Sequence, residues 1–150
     1  MFLRLAACLL LIVSNILMAA EPIHHSIKFG ILNGGEGQLY LVMETNEIPN
    51  IPMSQGLAYG IEVSPPNDFP YVVRMVVYLP DEPEKLTGIF SGLDPTTATE
   101  GLSFPEYKFE GKAIVPMGLD EGDPLGIYKL QVYINDTFTK TIEFEVKTPR

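Results

Sequence analysis

The stretch that decides the fold of this protein is residues 126–147, GIYKLQVYINDTFTKTIEFEVK. Apolar residues alternate with polar ones on both sides of Asn135-Asp136, and this pattern predicts two half-buried β-strands joined by a turn. The residues that would share the buried faces are Tyr128, Leu130, Val132 and Ile134 on the first strand and Ile142, Phe144 and Val146 on the second.

The loop between these strands sets their register. A two-residue loop would place Ile134 opposite Thr137, and the apolar faces would then disagree, because a slip of one residue inverts the faces of a strand. We therefore predict an odd loop of three or five residues with Ile134 opposite Phe138. The same register predicts two further cross-strand pairs, Leu130 with Ile142 and Tyr128 with Phe144.

The segment 123–130, DPLGIYKL, leads into this hairpin. It resembles the Asp, Gly, Tyr and Cys run that opens strand F of immunoglobulin-like domains, with Tyr128 matching the tyrosine and Leu130 the second cysteine. The resemblance implies a tyrosine corner, in which the tyrosine hydroxyl bonds back to the chain a few residues upstream. It gives Gly126, Tyr128 and Leu130 a structural role. The chain has no tryptophan and a single cysteine, so it is similar to the disulfide-free sandwiches of bacterial envelope proteins.

A second resemblance lies upstream of the hairpin. The segments ETNEIP at 44–49, GLAYG at 56–60 and YLP at 78–80 are similar to a family of uncharacterised bacterial exported domains. That family has no assigned activity, so the resemblance implies none, and a shared fold would not supply one.

The rest of the chain is typical of many short strands, because thirteen glycines and thirteen prolines separate its apolar runs. Alternation predicts strands near 26–31, 38–43 and 57–63. We predict turns at 33–35 and 65–68, a loop at 46–55 and a strand at 113–115 that ends at Pro116. The fold class is therefore an all-β, immunoglobulin-like antiparallel sandwich of about seven to nine strands.

The middle of the chain predicts a central strand and a less regular segment. Residues 71–79 are apolar on both faces except at Arg74, which is typical of a strand that is covered on both sides. For residues 85–110 we predict short strands near 86–90 and 103–109, with a loop at 94–100.

The N-terminus has the pattern of a cleavable signal peptide. Arg4 precedes an apolar run over 5–18, and Ala19-Ala20 supplies small residues for cleavage after Ala20. The run is too short and too interrupted for the alternative, a membrane anchor, which needs about 20 apolar residues. Most of the apolar run follows Cys8 instead of preceding it, which excludes a lipoprotein site. We predict a signal peptide at 1–20, a single domain at 21–150, and an exported protein, periplasmic or extracellular, without a stable membrane anchor after cleavage.

The charge of the chain limits its partners. The formal net charge is −9, and the basic residues are scattered singly, so binding to nucleic acid or to an anionic membrane surface is disfavoured. A disordered chain would contain fewer apolar residues than the 46% found here.

Two short motifs could bind metals. The acidic loop Asp120-Glu121-Gly122-Asp123 offers oxygen ligands for calcium, but its spacing does not fit a helix-loop-helix site, and a solvated loop is the simpler interpretation. His24-His25 stands alone in a predicted polar tail, and one histidine pair without a cysteine in the domain cannot form an ordinary zinc site. We therefore predict no metal site and no cofactor, and retain Asp120, Glu121 and Asp123 as weak calcium candidates.

No catalytic motif is present, so the leading hypothesis is a non-catalytic binding or accessory module of the cell envelope whose partner is another envelope protein. The last strand, 137–147, is the sheet edge expected to meet a partner. Four alternatives stay open: a small hydrolase that uses an acidic pair, a calcium-binding module, a carbohydrate-binding module, and a structural subunit. Carbohydrate binding lacks tryptophan and would depend on Tyr40, Tyr59, Tyr71, Tyr78, Tyr107 and Tyr133.

Overall fold

The computed structural model describes residues 24–35 and 37–150, so the predicted signal peptide, its cleavage site and Cys8 lie outside the described residues. Ten strands run through the described part of the chain. They are β1 (Ser26–Gly35), β2 (Gln38–Glu44), β3 (Glu47–Pro49), β4 (Ala58–Ser64), β5 (Tyr71–Tyr78), β6 (Leu102–Ser103), β7 (Tyr107–Phe109), β8 (Ala113–Met117), β9 (Gly126–Ile134) and β10 (Thr137–Lys147).

The strands form two sheets that face each other across one core. The first sheet has the order β2-β1-β4-β8, and the second has the order β3-β10-β9-β5-β6, with β7 also pairing with β5. The strand pairs are antiparallel except that β3 lies parallel to β10. Pairing of β4 with β8 in one sheet and of β5, β9 and β10 in the other is the arrangement of an immunoglobulin-like β-sandwich.

The core is built from the inward faces of both sheets, and in the described residues it contains no buried polar or charged side chain. An aromatic cluster lies between the sheets, where the ring of Phe144 is 4.7 Å from that of Phe29, 5.4 Å from that of Tyr59 and 5.2 Å from that of Tyr128. Offset aromatic pairs at such distances stabilise a core beyond the area that they bury. The last hairpin is thus attached to the first sheet through its aromatic side chains.

The loop of the last hairpin differs from the prediction, which was wrong on the loop length. Asn135 and Asp136 form a two-residue turn with φ of 50° and 62°, and Thr137 pairs with Ile134. The extra residue that restores the register lies at a bulge between Phe138 and Lys140. Beyond the bulge, the predicted pairs of Leu130 with Ile142 and of Tyr128 with Phe144 are confirmed. A turn with two positive φ values matches the twist of a hairpin, and the bulge then corrects the faces.

The predicted strands near 26–31, 38–43 and 57–63 are present, and β5 lies between β9 and the short strands β6 and β7, as predicted for a central strand. Its outer face is half-buried rather than covered. The predicted turn at 33–35 is wrong, because β1 continues to Gly35.

Three local predictions are wrong about the type of element: two predicted loops contain short strands or helical turns, and one predicted strand is a helical turn. Residues 46–55 contain β3 and a 3₁₀ turn at Met53–Gln55, and the strand predicted near 86–90 is a 3₁₀ turn at Gly88–Phe90. One helical turn, α1 (Thr97–Glu100), lies in the predicted loop at 94–100. Strand β8 continues through Pro116, which an edge strand tolerates because proline lacks only the N–H that would face outward.

The sheet edge predicted at the last strand is closed at its C-terminal end only. Residues Glu145–Lys147 of β10 pair with β3, and Asn50 N donates a hydrogen bond to Lys147 O at 2.6 Å. The ammonium group of Lys147 lies 2.7 Å from the Glu47 carboxylate. In the described chain, residues 137–144 of β10 have no strand on their outer side, and β2 is an open edge of the first sheet.

Candidate functional site

The first residues of β2 and the end of β1 form a two-stranded ribbon beyond the last pair of β1 with β4. Strand β4 pairs with β1 only as far as Leu32, so the residues from Asn33 to Gly35 pair with β2 alone. Strand β2 has a bulge at this point, because Ile31 pairs with Met43 and Leu32 with Leu41, which leaves Val42 as the extra residue. We call residues 33–35 and 38–43 the hairpin arm.

The hairpin arm exposes large apolar side chains on both of its faces. Four side chains of β2 are 40–56% exposed: Leu39, Tyr40, Val42 and Met43. Among the described residues no strand pairs with the outer side of β2, so its backbone groups on that side are also free of sheet partners. The alternation of β2 resembles that of a half-buried strand, but only Leu41 among its apolar side chains is partly buried.

A cavity of about 310 Å³ lies at one end of the sandwich, and we call it the end cavity. Strand β4, the connection from β8 to β9 and the segment 86–90 bring its walls together. The described residues that line it include no lysine, arginine or histidine. Its aromatic side chains are Tyr59, Phe90, Phe104, Tyr107 and Tyr128, and its acidic side chains are Asp120 and Asp123.

Two buried tyrosines at the end cavity differ in how their hydroxyls are used. The Tyr128 hydroxyl donates a hydrogen bond of 2.8 Å to the carbonyl of Pro124, the bond of a tyrosine corner. The Tyr59 side chain is 4% exposed, yet its hydroxyl makes no hydrogen bond with any described residue. Every fully enclosed polar side-chain atom of the described chain has a hydrogen-bond partner, so the Tyr59 hydroxyl, which has none, is not fully enclosed. Because Tyr59 lines the end cavity, its hydroxyl opens into that cavity. Burial raises the pKa of both tyrosines.

The acidic residues of the loop after β8 lie at the mouth of the end cavity. The backbone N–H of Asp120 donates to Asp123 Oδ2 at 2.8 Å, and the Thr87 hydroxyl donates to the Asp120 carboxylate. Burial, together with the negative charge of Asp120, raises the pKa of Asp123, while the hydrogen bond from Asp120 N opposes this shift. Neither carboxylate forms a salt bridge with a described residue.

The calcium candidates do not form a metal cage. Glu121 is exposed, and Asp120 and Asp123 are held by hydrogen bonds from the protein. Within residues 24–35 and 37–150 no group of three acidic, histidine or cysteine side chains could hold a metal ion. Of the histidine pair, His25 packs its ring 4.8 Å from that of Tyr71, and burial lowers its pKa.

The remaining tyrosines are divided between the core and the surface. Tyr71 is buried, and its hydroxyl donates to Gly111 O at 2.8 Å. On the outer face of the second sheet, the hydroxyls of Tyr78 and Tyr133 both lie 3.1 Å from Gln131 Oε1. Arg74 stacks over the Tyr133 ring at 4.0 Å. These contacts hold the two half-buried rings against the sheet, so they are not free to stack on a sugar.

The sequence did not indicate the end cavity. Its walls come from residues as far apart as Met53 and Tyr128, and each of them has an ordinary structural role in its own segment. The one signal was the acidic loop, which was interpreted as a calcium candidate or as solvated. The unused hydroxyl of Tyr59 has no signature in a strand pattern, because the residue alternates inward like any core position.

Comparison with known proteins identifies no family. No family model matches the chain, and no curated protein has a matching sequence. Among solved structures, the crystal structure of an immunoglobulin-like protein from Pseudomonas aeruginosa is similar, with a TM-score of 0.47 and 14% identity over 83% of this chain and 94% of that chain. In the described part of the chain, no helix is long and apolar enough to cross a membrane.

Proposed function

We propose that this protein is a non-catalytic binding module that is exported to the cell envelope and holds another envelope protein through the hairpin arm. The partner would add an extended strand to the outer side of β2 and cover its apolar side chains. The observation that carries the proposal is the 40–56% exposure of Leu39, Tyr40, Val42 and Met43 on a strand that is paired on one side only.

The low stability of an isolated two-stranded ribbon supports this proposal. An isolated hairpin is marginally stable in water, and a third strand or a packed face is needed to hold it. Within the described chain the ribbon beyond Leu32 has no third strand, and Leu39 and Tyr40 stay 40% and 48% exposed. A partner strand would supply backbone hydrogen bonds along β2, while its side chains would pack on the exposed apolar residues.

The scarcity of the usual edge protection on β2 points in the same direction. Proteins protect free edges with lysine, proline, bulges or very short strands. Strand β2 has seven residues and contains no lysine or proline, so the bulge at Val42 is the one protecting feature of this kind that it carries. An edge that is left open and apolar is typical of an interaction site, because otherwise it would promote aggregation.

The test is site-specific photo-crosslinking of the full chain in its own cells, with a C-terminal affinity tag. A benzophenone amino acid at position 42 should capture one envelope protein through an extended segment, and the same probe at Thr141, an exposed position on β10, should not. With the probe kept at position 42, Tyr40→Asp should abolish the capture without lowering the melting temperature, whereas the control Thr141→Asp should preserve it. Equal capture from both positions, or capture of a second copy of this chain alone, would contradict the proposal.

A second candidate is a small hydrolase that uses Asp120 and Asp123. The observation that favours it is the raised pKa of Asp123 beside a second carboxylate at a cavity, an arrangement that general acid catalysis uses. Turnover of chromogenic glycosides or esters that Asp123→Asn removes and Glu121→Gln leaves unchanged would support this candidate. An absence of turnover in the correctly folded protein would reject it.

A further inference from the structure

The end cavity combines unbalanced negative charge with an unused buried hydroxyl. Asp123 is half-buried, and no described cation lies within salt-bridge distance of it or of Asp120. Tyr59 is 4% exposed and its hydroxyl opens into the same space without a protein partner. Both aspartates line this cavity together with Tyr59, and their negative charge raises the pKa of its hydroxyl further.

Aromatic rings form much of the wall around these groups. Rings of Phe90 and Phe104 meet edge to face with centroids 5.2 Å apart, and Tyr59, Tyr107 and Tyr128 complete the aromatic lining. The faces of aromatic rings attract cations, most strongly where water is excluded. Leu79, Leu86 and Leu102 add aliphatic surface that can receive a short hydrocarbon chain.

We propose that the end cavity is a binding site for a small organic ammonium ion that carries a short apolar chain. The ammonium group lies between the Asp123 carboxylate and the Tyr59 hydroxyl, with Asp120 nearby. The chain of the ligand lies against the leucine and phenylalanine side chains. This site is separate from the hairpin arm and does not depend on the function proposed above.

The lining of the cavity disfavours anions and metal ions. The two aspartates repel an anion, and no lysine or arginine among the described lining residues would balance it. A metal ion would find two carboxylates that already accept hydrogen bonds, and no group of three ligands exists in the described chain. A volume of about 310 Å³ is at the small end of the range for ligand cavities, which suits an amine of a few carbon atoms.

Calorimetric titration of the full chain with hexylammonium chloride tests this proposal. We expect saturable binding of hexylammonium, with hexan-1-ol and hexanoate at least about tenfold weaker, because a buried charge-assisted hydrogen bond is worth more than a neutral one. Asp123→Asn and Tyr59→Phe should each weaken hexylammonium binding at least about fivefold, since each removes one interaction with the ammonium group. Glu121→Gln, an exposed change in the same loop, is the matched control and should leave binding unchanged.

Circular dichroism and the melting temperature of each variant separate loss of the site from loss of the fold. Asp123→Asn should melt at the same temperature as the natural protein or higher, because the change removes a partly buried charge but keeps an acceptor for Asp120 N. Equal binding of hexan-1-ol and hexylammonium, or unchanged hexylammonium binding by folded Asp123→Asn, would overturn the proposal. Tighter binding of Nα-acetyl-lysine methylamide than of hexylammonium would show that the ligand is a protein side chain and that a free amine is the wrong source.

Discussion

The hydrogen bond from Tyr128 to Pro124 should contribute measurably to stability, and Tyr128→Phe isolates it. The bond is 2.8 Å long, and the Tyr128 side chain is 2% exposed. The substitution removes one oxygen atom and leaves the ring in place, 5.2 Å from that of Phe144. A hydrogen bond contributes about 0.5–1.5 kcal/mol net, and an acceptor left without a partner costs somewhat more.

Because Pro124 is half-buried, water can replace part of the lost bond, so we expect the free energy of unfolding to fall by about 1–2 kcal/mol. For a domain of this size the melting temperature should fall by roughly 3–10 °C. The assay is urea unfolding followed by far-UV circular dichroism, since the chain has no tryptophan for fluorescence. The denaturant slope should not change if the substitution acts on the folded state alone.

Tyr133→Phe is the matched control for this experiment. Its hydroxyl lies 3.1 Å from Gln131 Oε1 on the half-buried outer face, where water can take its place. We expect the control to change the free energy of unfolding by less than about 0.5 kcal/mol. If Tyr128→Phe were as stable as the natural protein, or lost no more than Tyr133→Phe, the tyrosine corner would not hold the loop before β9 and the reasoning would be refuted.

Two further predictions concern the first sheet and alkaline pH. A Cβ at Gly60 would lie 2.2 Å from Val115 O, so Gly60→Ala should force β4 and β8 apart and lower the free energy of unfolding by about 1–3 kcal/mol. The control Gly34→Ala should not lower it, because the nearest atom to a Cβ at Gly34 is 3.7 Å away. Equal melting temperatures for the two variants would disprove this prediction. Since burial raises the pKa of Tyr59 and Tyr128, their contribution to stability is complete below the unfolded tyrosine pKa of about 10 and is lost as pH rises above it. Melting temperatures from pH 8 to 11.5 should therefore fall above pH 10, and more weakly in Tyr128→Phe; an equal fall in both proteins would count against the assignment.

The end cavity and the hairpin arm give this sandwich two surfaces of different chemistry. The hairpin arm is apolar and open along a strand, which suits an extended polypeptide. The end cavity is small, aromatic and acidic, which suits a cationic ligand. A variant that changes one surface should leave binding at the other unchanged, because the described residues of the two sets do not overlap.

Local pattern predicted most of the strands because burial on one face leaves a period of two in the sequence. The faces of β9 and β10 and the pairs of Leu130 with Ile142 and of Tyr128 with Phe144 are confirmed on that basis. The same pattern could not say where the extra residue of the hairpin lies, because an odd loop and a two-residue turn with a bulge give the same final register. Backbone twist decides between them, and it favours positive φ at Asn135 and Asp136.

The sequence by itself determined two things about this protein: its class, a two-layer β fold, and the inward faces of its long strands. Side-chain alternation shows both, because it is a local property of each strand. Only the tertiary structure decided which edges stay open and where a cavity forms. Strand β3 closes one end of the last strand, while β2, with the same alternation as a covered strand, has no strand on its outer side in the described chain. Likewise, Tyr59 and Asp123 line the same cavity only because β4 and the loop after β8 lie at the same end of the sandwich. Sites of this kind depend on contacts between segments that are distant in the sequence, and no local sequence pattern predicts such contacts.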